Sequence, residues 1–286
     1  MADMLRRSFL AATGAAFAAA PRIRTGCQTR SYYVPNRDRA QLNAALDDIA
    51  AAGFEGFETN QMCLAADFAH PGPLRADLAR RKLELLGLHV GGNLHAPAAA
   101  PQTLETMRGV AQGAKNLGAE MLVVSAAAVR NMEGSALQVA MRQKAVALEE
   151  LGKWCRAFGV RLAAHNHTEE TLRNFSEFRL IAEATSAANV SLMVDVGHTG
   201  VTGVDPVPFL HDYGRRVAGI HVRDYRDGKH VALGKGVVNL KGVAKVLHDT
   251  KWSGWVILEL EAAAGAAKPP DAVRAARKYL REEMGM

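Results

Sequence analysis

The sequence predicts an eight-stranded parallel (β/α)8 barrel preceded by a short targeting segment. Three observations carry that prediction. One pattern recurs eight times from Arg22 onward: a helix-period stretch, a short apolar run, then a polar loop. The length of 286 residues, 49% of them hydrophobic, accommodates one such barrel with a full core. Ionisable residues gather at the C-terminal ends of the apolar runs, where a barrel of this kind carries its site.

The predicted strands are Ile23–Gln28, Phe54–Glu58, Leu88–Gly92, Glu120–Ser125, Val160–His165, Val190–Asp195, Val217–His221 and Trp255–Glu259. Gly53, Gly87, Gly118, Gly159 and Gly254 stand just before five of them, as glycines that close helices do. Between the strands the apolar residues follow a helical period. Leu42, Ala45, Leu46 and Ile49 mark the first helix. Leu137, Met141, Leu148, Leu151, Cys155 and Phe158 mark a long one with Ser135 as its expected N-cap. The last helix is expected after Pro269-Pro270. An open doubly wound sheet is the alternative, but eight units in about 265 residues favour closure. No G-x-G-x-x-G follows the first strand, so a dinucleotide-binding domain lacks support. The expected organisation is a signal over 1–20 and one barrel over 21–286.

Residues 1–20 read as a twin-arginine export signal. Arg6-Arg7-Ser8-Phe9-Leu10 resembles R-R-x-F-L and opens an Ala-rich apolar stretch, with Ala18-Ala19-Ala20 as the cleavage site. The stretch is too short to span a bilayer, so export to the periplasm is expected, without membrane insertion after removal. The alternative is an amphipathic helix packed on the barrel, but the segment has no polar face. The net charge of +6 is spread along the chain and does not point to nucleic acid. Cys27, Cys63 and Cys155 are odd in number and far apart, so they read as small buried side chains.

The strand ends carry the chemistry. They present Glu58, then Asn93 and His95, then His165-Asn166-His167 with Glu169 and Glu170. Asp195 with His198, His221 with Asp224, and Glu259 with Glu261 follow. Asp195, His221 and Glu259 each close an apolar run. A charge drawn to the end of a buried strand is costly unless it is paired or bound to metal. Singly, each has a structural reading as a cap or a satisfied core histidine. Together, on three neighbouring strands, they favour one divalent ion. Mixed oxygen and nitrogen donors suit manganese, cobalt, magnesium, iron or zinc. Glu58 and His95 fit either a structural hydrogen bond or a substrate contact.

Several motifs resemble one family. They are Gly53-Phe54-Glu55-Gly56-Phe57-Glu58, Ala164-His165-Asn166-His167, Val194-Asp195-Val196-Gly197-His198, Ile220-His221-Val222-Arg223-Asp224, Leu233-Gly234-Lys235-Gly236 and Val256-Ile257-Leu258-Glu259. In this order they resemble the xylose-isomerase-like TIM-barrel superfamily, in its sugar phosphate isomerase/epimerase branch. The resemblance spans residues 22–286. It implies one divalent metal, manganese first, on Asp195, His221 and Glu259. The fourth ligand is either His165 or Glu170 reaching back. His198 is implied as a contact to substrate oxygens, with Glu58, His95, Asp224 and His230 as further candidates at the mouth.

The implied reaction is proton transfer beside the carbonyl of a sugar or keto-sugar. Glu259 serves one face, and His165, His167 or Glu170 the other. A His/Glu pair in place of two carboxylates also suits a dehydratase, as in the inosose dehydratases of the superfamily. Two other readings are an endonuclease IV-like zinc hydrolase drawing on His95, His198, His221 and His230, and a non-catalytic sugar-binding barrel. A homo-oligomer is compatible with all of them.

Overall fold

The computed structural model describes residues 22–34, 38–261 and 268–286. The expected signal segment lies outside these residues. No helix among them is long and apolar enough to cross a membrane.

Eight parallel strands close into a barrel. They are β1 (Ile23–Gln28), β2 (Gly56–Asn60), β3 (Glu84–Gly92), β4 (Met121–Ala126), β5 (Arg161–His165), β6 (Val190–Asp195), β7 (Val217–Val222) and β10 (Gly254–Leu258). Closure comes from β1, which pairs with both β2 and β10. A small antiparallel hairpin of β8 (Asp224–Arg226) and β9 (Lys229–Val231) stands on the mouth after β7. The helices form the outer layer. The predicted faces of the first helix, Arg39–Ala51, and of the long helix, Gly134–Phe158, pack inward on this barrel. The last helix, Pro269–Glu283, begins at the expected prolines.

Three local expectations need correction. The residue at the N-cap of the long helix is Glu133 rather than Ser135. Gly87 and Gly254 do not close helices; Gly254 opens β10, after a helix Leu240–Asp249 that ends at Thr250. The helix Gly72–Arg81 ends on Lys82 in the left-handed region, and β3 already runs from Glu84. The reason for a glycine at 87 is close packing. A Cβ there would meet Val123 Cγ2 at 3.1 Å and Glu58 Cγ at 3.5 Å.

That glycine belongs to a bulge that aims the site. Phe57 pairs with Leu85, but Glu58 pairs with Gly87, so β3 carries one extra residue. An extra residue reverses which side chains face in. Leu86 lies in the apolar interior of the barrel, and strict alternation from it would send His89 outward. The bulge turns His89 inward instead. The same happens in β7. Leu192 pairs with Val217 but Met193 pairs with Gly219. Ala218 is interior, and the added residue brings His221 to the inside as well.

Inside the barrel the layers differ. Below, Leu86, Met121, Val123, Met193, Trp255 and Ile257 form a dry apolar plug. Above it stand polar side chains, among them Glu58, His89, Ser125, His165, Asp195, His221 and Glu259.

Candidate metal centre

The last inward residues of β5, β6, β7 and β10 are His165, Asp195, His221 and, one residue past its strand, Glu259. All four are buried, and one donor atom from each lies within 4.8 Å of every other. His165 Nε2 faces His221 Nδ1 at 3.0 Å. The same His165 nitrogen lies 3.7 Å from Asp195 Oδ2 and 3.9 Å from Glu259 Oε2. His221 Nδ1 lies 2.8 Å from Glu259 Oε2. That contact lacks hydrogen-bond geometry, and the buried Oε2 has no hydrogen-bond partner. Two imidazoles and two carboxylates, one with an orphaned oxygen, match the donors that a divalent ion takes from protein. The residues present therefore fit a metal.

Local chemistry fixes the backbone around these donors. The Asn166 side chain donates to the Asp195 carbonyl at 3.0 Å and accepts from the Asp195 N–H at 2.8 Å, which ties the end of β5 to the end of β6. The Gly197 N–H donates to Asp195 Oδ1 at 2.8 Å and leaves Oδ2 for the centre.

The charges are strongly coupled. Burial alone would push Glu58 up, but His221 and His89 hold it at about 2. Burial would lower His221, but Glu58 and Glu259 outweigh it and raise it to about 10. Burial lowers His165 to about 3, so that imidazole stays neutral. Burial opposes the charge of Asp195 and Glu259 as well. Arg223 is the largest influence holding both well below their ordinary values.

Sequence reasoning missed Arg223. It is buried, contacts Asp195 Oδ2 through Nη2, lies 2.7 Å from His198 Nε2, and reaches Glu259 Oε2 at 3.7 Å. Its position two residues after His221 puts it on the same inward face, and that period was the available signal. His89 was missed because it sits within an apolar run. Ser125, Lys144 and Gln28 gave no signal at all.

The other expected residues divide. His167 is the N-cap of the segment Thr168–Ala184, with its ring centroid 5.0 Å from that of His165 and 5.4 Å from that of His198. His198 stands at the edge of the centre, held by Thr168 Oγ1 at 2.9 Å. His230, on β9, packs on Tyr225 and lies 3.6 Å from Glu261. His95 is buried with Nδ1 unpartnered.

Three expectations are corrected. Glu170 does not reach back to the centre. It accepts from the buried Lys144 at 3.3 Å and from the His167 N–H at 3.0 Å in a capping box, which leaves His165 as the member from β5. Asp224 touches no open space. Its carboxylate accepts from the N–H groups of Tyr225, Gly234, Gly236 and Val238 and shapes the loop. Glu58 is fully buried beneath the centre and binds His221, His89 and Gln28, so it holds other side chains in place and does not face a substrate. Nor do His95, His198 and His230 assemble a further metal cluster. Among the described residues the one group with metal-ligand geometry is the four-residue set above.

Fold and site together define a (β/α)8 barrel whose mouth carries four buried donors suited to a divalent ion. Comparison with known proteins places it further. The family model described as xylose isomerase-like TIM barrel matches residues 46–283, and the chain belongs to that family. Its sequence is 24% identical over 298 residues to an inosose dehydratase of Bacillus thuringiensis, covering 88% of this chain and 94% of that one. Its fold is similar to that of the 3-keto-D-glucoside 4-epimerase of E. coli, with a TM-score of 0.73 and 18% identity over 91% of this chain and 99% of that one. It is also similar to the IolI protein with a bound zinc atom, with a TM-score of 0.76 and 17% identity over 92% and 98%. The chain is an enzyme.

Proposed function

We propose that this enzyme moves a proton at the carbon beside a carbonyl of a sugar or keto-sugar, with isomerisation or epimerisation as the outcome. The observation that carries the reading is the convergence of His165, Asp195, His221 and Glu259, with the buried Glu259 Oε2 left without a hydrogen bond. These four residues would hold one divalent ion, manganese first and zinc, cobalt, iron or magnesium as alternatives, which polarises a carbonyl and stabilises the charge that develops on it.

The chain's own groups supply the rest. His165 directs one nitrogen to Ser125 and the other to the centre, so it holds position and carries no substrate proton. His167 is the imidazole beside the centre that is free of this role. Burial lowers its pKa, which leaves it neutral and able to accept a proton. Glu259 lies on the far strand and serves the opposite face. Arg223 presents N–H groups beside Asp195, one of them donated to His198 Nε2, and is suited to orienting hydroxyl oxygens. Arg223 stays cationic against its burial because Asp195 and Glu259 face it.

A second reading is dehydration, in which the same proton leaves and a hydroxyl departs from the next carbon as water. The alignment with an inosose dehydratase over nearly the full chain favours it. Both readings share the first step. The test is therefore exchange of the proton beside the carbonyl with deuterated solvent, read by NMR on a panel of keto-sugars and inososes. Metal content of the wild type, Asp195→Ala and His221→Ala is measured in parallel. About one ion per chain, lost in both variants, with exchange that disappears in His167→Ala, supports the reading. A wild type that takes up no ion after reloading overturns it. Export belongs to the same proposal, and N-terminal sequencing of periplasmic protein should find residues 1–20 removed.

A further inference from the structure

Beneath the centre, five side chains close a ring of hydrogen bonds. His221 Nε2 meets Glu58 Oε2 at 2.9 Å, and Glu58 Oε1 meets His89 Nδ1 at 2.8 Å. His89 Nε2 meets Ser125 Oγ at 2.5 Å, and Ser125 Oγ meets His165 Nδ1 at 3.3 Å. His165 Nε2 and His221 Nδ1 then face each other across the centre at 3.0 Å.

We infer that this ring sets the tautomers of both histidines, and that Ser125 and His89 are positioning residues which turn the two imidazole lone pairs into the centre. The inference rests on the reading that His165 and His221 face a metal ion. Its logic is proton counting. An ionised carboxylate only accepts, so the Glu58 oxygens call for N–H at His221 Nε2 and at His89 Nδ1. That leaves His221 Nδ1 directed at the centre, where a bound ion would take the place of the proton that the cationic imidazole otherwise keeps there. One proton on His89, at Nδ1, leaves its Nε2 bare to accept from the Ser125 hydroxyl. A hydroxyl has one proton, so having donated it to His89 it accepts from His165. His165 therefore carries its proton on Nδ1, and its Nε2 is bare and directed at the centre. Every donor finds an acceptor in this one direction around the ring. The reverse direction would place a proton of His165 between the two imidazoles.

The ring also explains Ser125 physically. A carboxylate at position 165 would need no tautomer fixed, whereas an imidazole does. The hydroxyl of Ser125 is the group that fixes it. The bulge at Leu86–Gly87 is part of the same device, because it brings His89 inside to link Glu58 to Ser125.

The test is Ser125→Ala, which removes one hydroxyl, beside Ser125→Thr, which keeps it. Two readouts are used: zinc affinity by chelator competition, and the 15N shifts of the histidine rings in metal-free protein. The wild type should show His165 protonated at Nδ1. Ser125→Ala should show mixed tautomers and bind zinc about 10- to 100-fold more weakly, with recovery in Ser125→Thr. Equal affinity and an unchanged His165 signal in Ser125→Ala would overturn the inference while leaving the metal reading intact. If the wild type bound no zinc, the metal reading would fall, and the 15N signal of His165 would still decide the ring: Nδ1–H upholds it and a mixture overturns it.

Discussion

The lower and upper halves of the barrel interior are built by the same strands, and they follow opposite rules. In the lower half Met193, Trp255 and Ile257 exclude water and contribute by packing. Two residues further along the same strands stand Asp195 and Glu259, buried charges that destabilise the fold unless other charges meet them. The comparison teaches a division of labour. The plug makes a rigid floor, and the polar layer uses that rigidity to hold donors close together. The polar layer is also organised beyond its own residues, through Glu58, His89 and Ser125.

The division predicts separable losses. The largest is Trp255→Ala, a fully buried side chain in the floor. It should cost about 3–5 kcal/mol in chemical unfolding, while metal stoichiometry stays at the wild-type value. Loss of metal in this variant would break the separation between the layers. Next is Glu58→Gln in the polar layer. An amide cannot accept through both of its ends, so one histidine contact is lost. Metal affinity in a chelator titration should fall about 10- to 100-fold, with a smaller shift in melting than Trp255→Ala gives.

A third variant probes the close packing of the floor. A methyl at Gly56 would meet the Trp255 ring at 2.8 Å and the Glu84 carbonyl at 2.9 Å, and neither neighbour yields easily. Gly56→Ala should cost about 1–3 kcal/mol by denaturant titration, again without change in metal content.

The effect confined to high pH concerns the apolar core outside the barrel. Burial pushes the thiols of Cys27 and Cys155 up to about 12 from an ordinary 9. A raised pKa means that their stabilising contribution is complete below pH 9 and is lost as the pH rises toward 12. The double variant Cys27→Ala/Cys155→Ala should therefore show a flatter decline of stability over that interval. A decline as steep as in the wild type would mean that the thiols ionise as freely as in the unfolded chain.

Much of the site could be read from the chain because strand ends are local features. Asp195, His221 and Glu259 each end an apolar run, and such ends must meet at a barrel mouth. His165 stood out in the same way. What could not be read was the partner that each charge would find. Glu170 has the right chemistry for a ligand, yet Lys144, 26 residues earlier in the chain, faces it at 3.3 Å. Asp224 also looked functional, but the N–H groups of residues 234–238 close around it. His89 and Arg223 were hidden for opposite reasons, one inside an apolar run and the other as a residue type that usually extends to solvent.

The sequence by itself determined the number of strand–helix units, the helix faces and the set of residues at the mouth. These follow from periodicity and chain continuity, which act over a few residues at a time. Only the tertiary structure decided that His89 and His221 face inward, because a bulge is settled by the register between neighbouring strands. It alone also decided which carboxylates remain for the centre, since buried charges are paired by distance in space and not by separation along the chain.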